Sequence, residues 1–218
     1  MIIGIDCGHT LTGEGTGAVG YKDEGKMTRE VGNRLMAMLK EKGHTIINCT
    51  VDYSKNELAD RVSIANKQNL DIFVSLHLNA YKKTTAARGI EVYTYSGGSS
   101  AVNIAKRTLN EVIAATGWKN RGHKTADYYV LRNTIAPAFL IELGFCDSKA
   151  DMDLWNTEKI AKALFKGITN SEYVAPAPSS NKLFRVVCGT YSDRKNAEEQ
   201  QAKLKKAGFD SFLVAIDK

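Results

Sequence analysis

Short apolar runs alternate with longer amphipathic stretches over most of the chain. The runs are rich in Ile, Val, Leu and Phe, which is typical of buried strands. This pattern predicts strands over 2–6, 45–51, 71–76, 89–95, 128–131 and 138–143. Between the runs, apolar residues recur with helical spacing, which predicts helices over 26–42, 56–68, 99–116 and 151–168.

The stretch 26–42 shows the helical spacing most clearly. Its apolar positions follow a single helical face and are Met27, Val31, Leu35, Met38 and Leu39. Gly43 then supplies a residue that commonly ends a helix. The alternation of strands and helices favours an α/β fold, with a twisted, mostly parallel sheet of about six strands flanked by helices. Ligands of such sheets bind at the carboxyl ends of the strands.

The composition changes near the C-terminus. Residues 171–182 read SEYVAPAPSSNK and hold two of the three prolines, which is typical of an extended linker. The pattern then restarts, and it predicts strands over 183–191 and 211–216 around a helix over 193–207. We therefore expect a domain over 1–170, a linker over 171–182 and a small β-α-β module over 183–218. A module this short rarely buries enough apolar surface to fold alone.

The charge balance is positive. The 218 residues include 30 Lys and Arg against 24 Asp and Glu, which gives a net charge of +6. This balance favours contact with anionic polymers, such as nucleic acid or an acidic cell wall. Nucleic-acid interfaces cluster their basic residues beside aromatic ones, whereas the basic residues here are spread along the chain. We therefore expect no nucleic-acid partner.

The N-terminus, MIIGIDCGHT, lacks the basic and long apolar segments of a secretory signal. No apolar run reaches the length of about 18 residues that a transmembrane helix needs. We therefore expect synthesis in the cytoplasm without a signal peptide, and no membrane span. The four cysteines lack CxxC spacing, so reduced and partly buried thiols are expected at Cys7, Cys49, Cys146 and Cys188.

Two histidines stand at the ends of strand-like runs. His9 lies in IDCGHT, where Gly8 lets the backbone leave the first strand sharply, and His77 lies in VSLHLNA. Strand ends meet at one edge of a parallel sheet, so the two imidazoles can approach each other there. Two imidazoles and a carboxylate are typical ligands of a catalytic zinc ion. A turn residue without a ligand role is the alternative for His9, and a hydrogen-bonded core residue is the alternative for His77.

Two glutamates are the candidate carboxylates. Glu142 lies within the apolar run AFLIELGF, where a carboxylate is costly to bury without a partner. A general base beside a metal ion would explain its position, and a buried ion pair with an arginine is the alternative. Glu24 stands just before the predicted helix, close to Glu14, Asp23 and Glu30. An acidic residue that only favours the helix N-terminus is the alternative for Glu24.

Four blocks, taken in order, resemble one enzyme family. They are IDCGHTLTGEGTGAVG, the Glu24 block YKDEGK, VSLHLNA and YYVLRNTIAPAFLIELGF. Together they resemble the zinc-dependent N-acetylmuramoyl-L-alanine amidases of the type-3 family, which include bacterial autolysins and phage endolysins. The resemblance covers 1–170. This chain departs from the family where it has GHTL in place of the common GHGG, and EGK in place of EKD.

The resemblance implies roles for the candidate residues. Zinc would be held by His9, Glu24 and His77, and Glu142 would be the catalytic glutamate. Asn79 and Arg132 are expected on the substrate side.

The implied reaction is cleavage of the amide bond between N-acetylmuramic acid and L-alanine of peptidoglycan. A zinc peptidase acting on the stem peptide and a peptidoglycan-binding protein without catalysis are the alternatives. The absence of a signal peptide fits a phage endolysin released through a holin, or a lysin released when the mother cell of a spore lyses. In both cases the protein acts on the cell wall after release.

The C-terminal segment 183–218 resembles one repeat of the SPOR-type peptidoglycan-binding module. That module uses two β-α-β repeats to make one sheet, and only one repeat is present here. We therefore expect two chains to pair their single repeats, which would make the protein a homodimer through 183–218.

Overall fold

The computed structural model describes residues 1–96, 98–175 and 186–215. Its strands are β1 (Ile2–Cys7), β2 (Thr45–Asn48), β3 (Ile72–Asn79), β4 (Ile90–Thr94), β5 (Asn120–Thr125) and β6 (Ala138–Phe145). Its helices are α1 (Glu24–Glu41), α2 (Glu57–Asn66), α3 (Val102–Thr116), α4 (Tyr129–Asn133), α5 (Lys149–Asp153), α6 (Thr157–Thr169) and α7 (Arg194–Lys206). The chain divides into two compact units, Met1–Pro176 and Ala177–Lys218.

The six strands form one sheet in the order β2-β1-β3-β6-β4-β5. Neighbouring strands run parallel, except that β4 is antiparallel to β6. Consequently, β4 and β5 begin at the edge of the sheet where β1, β3 and β6 end. The predicted α/β class, with a mostly parallel sheet of six strands flanked by helices, is confirmed.

The side chains of each strand alternate between the two faces of the sheet. On one face, Val74 and Leu76 of β3 and Ile141 of β6 join the larger hydrophobic cluster, which α1, α3 and α6 cover. On the opposite face stand His77 of β3 and Glu142 of β6. Alternation therefore separates the main core from the polar residues at the strand ends.

Helix α1 begins at Glu24, because the Asp23 side chain caps it by accepting a hydrogen bond from the Lys26 N–H group at 3.2 Å. It ends at Glu41, and Gly43 follows with a φ of 80°, a conformation that favours glycine. In its middle, Gly32 lies against Cys7 of β1. The missing side chain at this position allows α1 to approach the sheet closely.

The prediction of a strand over 128–131 is wrong, since these residues contribute to helix α4. The sixth strand is β5, which the hydrophobic pattern did not indicate. β5 lies at the edge of the sheet, and its sequence, NRGHKT, is polar because its side chains are exposed or half-buried. The predicted helix over 151–168 is divided into α5 and α6, and the Asn156 side chain caps the second of these.

The C-terminal unit contains the predicted helix as α7, capped by Asp193. The described parts of the two predicted strands, 186–191 and 211–215, have no strand structure, so the strand prediction is wrong for them. Residues 183–185 and 216 lie outside the described range. A parallel strand pair needs a partner surface to pack on, and α7 has no buried residue. Within the described ranges, no helix has both the length and the apolar character required to cross a membrane.

We expect Gly32→Ala to lower the free energy of unfolding by about 1–3 kcal/mol, because an added Cβ would stand 2.2 Å from Cys7 Sγ. Urea denaturation measures this change. The double variant with Cys7→Ala removes the sulfur and should recover much of the loss. An unchanged stability of the single variant would show that α1 does not depend on this close approach.

Candidate metal centre

The carboxyl ends of β1 and β3 bring the two histidines together. Cys7 pairs with Leu76 across these strands, so the chain leaves β1 beside the position of His77. The ring centroids of His9 and His77 lie 4.8 Å apart. Gly8 makes this approach possible, since a Cβ there would stand 2.2 Å from the His77 ring.

Glu24 reaches the two histidines from the first turn of α1. Its Oε1 atom lies 3.1 Å from His9 Nε2 and 3.2 Å from His77 Nδ1. One ligand atom from each of the three residues lies within 4.8 Å of the others. We call His9, Glu24 and His77 the ligand triad. These three residues could hold a metal ion.

Backbone groups fix the Glu24 carboxylate. The Leu78 N–H group donates to Oε1 at 3.0 Å, and the Ala18 N–H group donates to Oε2 at 3.0 Å. Burial would raise the pKa of this carboxyl, but the neighbouring imidazoles of His77 and His9 outweigh burial and lower the pKa. Glu24 is therefore ionised at neutral pH, as a metal ligand must be.

The tautomer of His9 is set by the glycine-rich loop over 13–20. His9 Nδ1 lies 3.1 Å from the Gly15 carbonyl oxygen, which can only accept, so Nδ1 carries the proton. In the neutral ring, Nε2 then presents its lone pair to the Glu24 carboxylate. Two acceptors facing each other require a proton or a cation between them. The donor set therefore fits a metal ion, and Gly15 provides the outer hydrogen bond that such histidines use.

The backbone of His9 has the left-handed conformation, with a φ of 62°. Its carbonyl oxygen accepts hydrogen bonds from two arginines, Arg29 Nη2 at 2.7 Å and Arg61 Nη2 at 2.5 Å. Arg61 is fully buried, and it also donates to Asp6 and to the Cys7 carbonyl oxygen. Arg29 and Arg61 therefore hold the turn that presents the first histidine.

Glu142 lies directly beside the triad. It pairs with His77 across β3 and β6. Its Oε2 atom is buried and accepts no hydrogen bond from the residues that the structure describes. Burial raises the pKa of Glu142 to about 7, while His77 opposes this rise. A carboxyl group with such a pKa can both accept and release a proton near neutral pH.

The other acids near Glu24 in the sequence have different contacts. Asp23 caps α1, Glu30 accepts a hydrogen bond from Thr157, and the Glu14 carbonyl oxygen accepts one from Thr10. None of them belongs to the metal-binding group found among the described residues.

The two residues expected on the substrate side differ in position. Asn79 Nδ2 donates to Glu91 Oε1 at 2.6 Å, and Glu91 is the cross-strand neighbour of Glu142. Arg132 instead donates to Asp127 at 2.6 Å on the exposed side of α4. Within the part of the chain that the structure describes, Arg132 has no hydrogen bond to the ligand triad or to Glu142.

Sequence reasoning missed Glu91, a buried carboxylate that pairs with Arg121 Nε at 2.9 Å and with Lys124. The reasoning applied to Glu142, a carboxylate within an apolar run, could also have identified Glu91. Glu91 lies within the apolar run GIEVY, where a carboxylate needs a partner.

The sequence matches the family described as N-acetylmuramoyl-L-alanine amidase over residues 3–171. It also matches the SPOR domain over residues 156–215. The two matches overlap in 156–171, which includes the whole of α6.

Several characterised proteins are similar over most of this chain. The sporulation-specific N-acetylmuramoyl-L-alanine amidase of Bacillus subtilis (strain 168) is 30% identical over 98% of this chain and 84% of its own length. The endolysin of Bacillus phage SPP1 is 28% identical over 100% of this chain and 80% of its own length.

Solved structures show the same fold in the first unit. The amidase AmiC2 of Nostoc punctiforme has a TM-score of 0.70 and 30% identity, over 78% of this chain and 96% of that one. The catalytic domain of the CD27L endolysin, which targets Clostridia difficile, has a TM-score of 0.70 and 29% identity, over 79% of this chain and 98% of that one. The fold, the relatives and the family match over residues 3–171 agree, and the chain belongs to the N-acetylmuramoyl-L-alanine amidase family.

Proposed function

We propose that this amidase cleaves the bond between N-acetylmuramic acid and L-alanine of peptidoglycan with a zinc ion held by His9, Glu24 and His77, and with Glu142 as general base. One observation carries the proposal. The buried, unpartnered carboxylate oxygen of Glu142 lies beside His77, and one ligand atom each of His77, His9 and Glu24 lies within 4.8 Å of the others.

Zinc suits the donor set, because two imidazole nitrogens and one carboxylate oxygen leave a coordination position open. When bound, zinc polarises a substrate carbonyl and lowers the pKa of water. The ligand triad keeps its geometry through the outer contacts of Gly15 with His9 and of Leu78 and Ala18 with Glu24.

Glu142 supplies the proton transfers. Its carboxylate takes a proton from the attacking water as the water oxygen bonds to the lactyl carbonyl carbon. The protonated Glu142 then delivers that proton to the alanine nitrogen as the carbon–nitrogen bond breaks. The same carboxyl group thus serves as base and then as acid, which its raised pKa allows.

We also propose that different parts of the chain have different functions. Residues 1–170 would form the catalytic domain, 171–182 a linker, and 183–218 a segment that binds the cell wall, where the protein acts. The SPOR match over 156–215 supports wall binding. The amidase and endolysin relatives support action on the wall.

The C-terminal segment would pair with that of a second chain. Its apolar side chains are exposed, with Val186 at 86%, Phe209 at 65% and Phe212 at 73% of their surface. The SPOR match uses α6 for its first part, but Ile160 and Leu164 of α6 are buried in the catalytic unit. A second copy would supply the half-module that α6 does not provide.

We expect Glu142→Gln to retain zinc and to lose turnover by about a hundredfold to ten-thousandfold, because the amide cannot accept the proton. His77→Ala should lose both zinc and turnover. Metal analysis of the purified variants and mass analysis of the products from peptidoglycan measure these effects. His44→Gln is the matched control, since His44 precedes β2 at the opposite edge of the sheet. A Glu142→Gln enzyme with near-full activity would contradict the assignment, and cleavage within the stem peptide would indicate a peptidase.

Zinc should stabilise the folded protein. At a free zinc concentration roughly 100 times the dissociation constant, we expect a gain of about 2.7 kcal/mol in the free energy of unfolding. Thermal unfolding with zinc and with a chelator measures this gain. The gain should persist in Glu142→Gln and vanish in His77→Ala, and an equal gain in both variants would place the metal elsewhere.

The full chain should sediment as a dimer at high concentration, and Phe212→Lys should shift it toward the monomer. The lysine charge would have to be buried in the proposed apolar contact between the two C-terminal segments. Analytical ultracentrifugation over a range of concentrations measures the equilibrium. A parent chain that stays monomeric throughout would refute the pairing without affecting the proposed catalysis.

A further inference from the structure

A row of polar residues crosses three neighbouring strands at the active edge of the sheet. His77 of β3 pairs with Glu142 of β6, and Glu142 pairs with Glu91 of β4. Paired residues on neighbouring strands direct their side chains to the same face. The row therefore leads from the ligand triad, past the proposed base, toward β4 and β5.

The far end of this row carries more positive than negative charge. The carboxylate of Glu91 is buried, and it accepts from Arg121 Nε at 2.9 Å, from Lys124 Nζ and from Asn79 Nδ2 at 2.6 Å. One cation would neutralise Glu91, yet two surround it. Both are partly exposed, with 34% of the Arg121 side chain and 42% of the Lys124 side chain accessible.

Arg121 is held on two sides and open on a third. Its Nε–H group is committed to Glu91, and its guanidinium carbon lies 5.0 Å from the centroid of the Phe145 ring. Among the described residues, neither Nη atom donates a hydrogen bond to the protein. A guanidinium fixed in this way presents two parallel N–H groups, the geometry that binds a carboxylate with two hydrogen bonds.

A second arginine adds to the unmatched charge. The Arg88 guanidinium carbon lies 5.3 Å from the centroid of the same Phe145 ring. Its Nε atom is buried and has no hydrogen-bond partner among the described residues. Two guanidinium groups therefore lie against one phenyl ring, which concentrates positive charge around Phe145.

The distance from Glu142 identifies which part of the substrate is near. Strands in a sheet are about 4.8 Å apart and β5 lies two strands from β6, so Arg121 stands within about 10 Å of Glu142 along the sheet. An extended peptide advances about 3.3 Å per residue, so this distance corresponds to about two or three residues. The peptide strand of peptidoglycan carries carboxyl groups at such positions, and cell walls differ in whether these groups are free or amidated.

We propose that Arg121, with Arg88 and Lys124 beside it, binds a free carboxylate of the stem peptide about two or three residues beyond the scissile bond. The enzyme therefore prefers peptides with a free carboxylate there over peptides with an amide. This subsite rests on the proposed function, and it orients the substrate with its peptide over β4 and β5.

The test compares two soluble N-acetylmuramoyl peptides that differ only in having a free or an amidated carboxyl group on the second residue. For the zinc-loaded parent enzyme, we expect kcat/KM to be about tenfold or more higher for the free-acid peptide than for the amidated peptide. A charge-assisted hydrogen bond to the carboxylate would account for a difference of this size. Arg121→Gln should bring the ratio close to one, because kcat/KM falls more for the free-acid peptide than for the amidated peptide. Arg121→Lys should give an intermediate ratio, because it keeps the charge and loses the paired N–H groups.

Lys162→Gln is the matched control. Lys162 is a half-exposed cation paired with Glu158 on α6, which covers the opposite face of the sheet. Lys162→Gln removes one positive charge, as Arg121→Gln does. It should leave the ratio of kcat/KM for the free-acid peptide to that for the amidated peptide as in the parent. Raising the salt concentration should lower the parent ratio, since the proposed contact is partly exposed to solvent.

The outcomes separate this subsite from the proposed function. A parent enzyme that cleaves neither peptide would refute the proposed reaction. A parent enzyme that cleaves both, with a ratio near one or a ratio that Arg121→Gln leaves intact, would overturn the subsite alone. Thermal unfolding checks each variant, and if Arg121→Gln unfolds, the ratios of Arg121→Lys and of the parent at high salt decide the question.

Discussion

The hydrogen bonds from Arg29 and Arg61 to the His9 carbonyl oxygen are the contacts on which the site depends. A left-handed conformation costs a non-glycine residue roughly 1–2 kcal/mol, whereas a hydrogen bond to a charged group contributes about 1.5–3 kcal/mol. Two such bonds outweigh the strain at His9. Arg29 belongs to α1 and Arg61 to α2, so both helices are tied to the end of β1. The buried charge of Arg61 is matched by Asp6 and Glu57.

The two faces of the sheet serve different purposes. One face supplies most of the hydrophobic core, so α1, α3 and α6 pack on a mostly apolar surface. The other face carries His77, Glu142 and Glu91 in one row. β4 and β5 run opposite to β6, so both begin at the edge of the sheet where β1, β3 and β6 end. Glu91, near the start of β4, therefore extends this row. A fully parallel sheet would place Glu91 at the opposite edge.

Much of the fold was predictable because four strands, β1, β3, β4 and β6, are buried on both faces and therefore read as apolar runs. β5 escaped detection since an edge strand with exposed side chains has no such signal. His77 and Glu142 stood out as polar residues within or beside apolar runs. Glu24 could not be chosen from its acidic neighbours by local pattern, because its contacts with the histidines arise only when α1 docks on the sheet. For the same reason, the sequence did not indicate the link between Glu91 and Arg121.

Helix α6 is matched by both families, yet it has only one place in the structure. Ile160, Leu164 and Ile168 are fully or almost fully buried in the catalytic unit, so the helix is not free to join a second module. The natural point for exchanging the C-terminal part between such enzymes therefore lies after α6, beyond Thr169, and not where the second family match begins. A chimera joined at residue 156 would replace α6, and the amidase core would lose the buried side chains of this helix. An exchange of the C-terminal part must therefore leave α6 with the amidase unit, although both family matches include this helix.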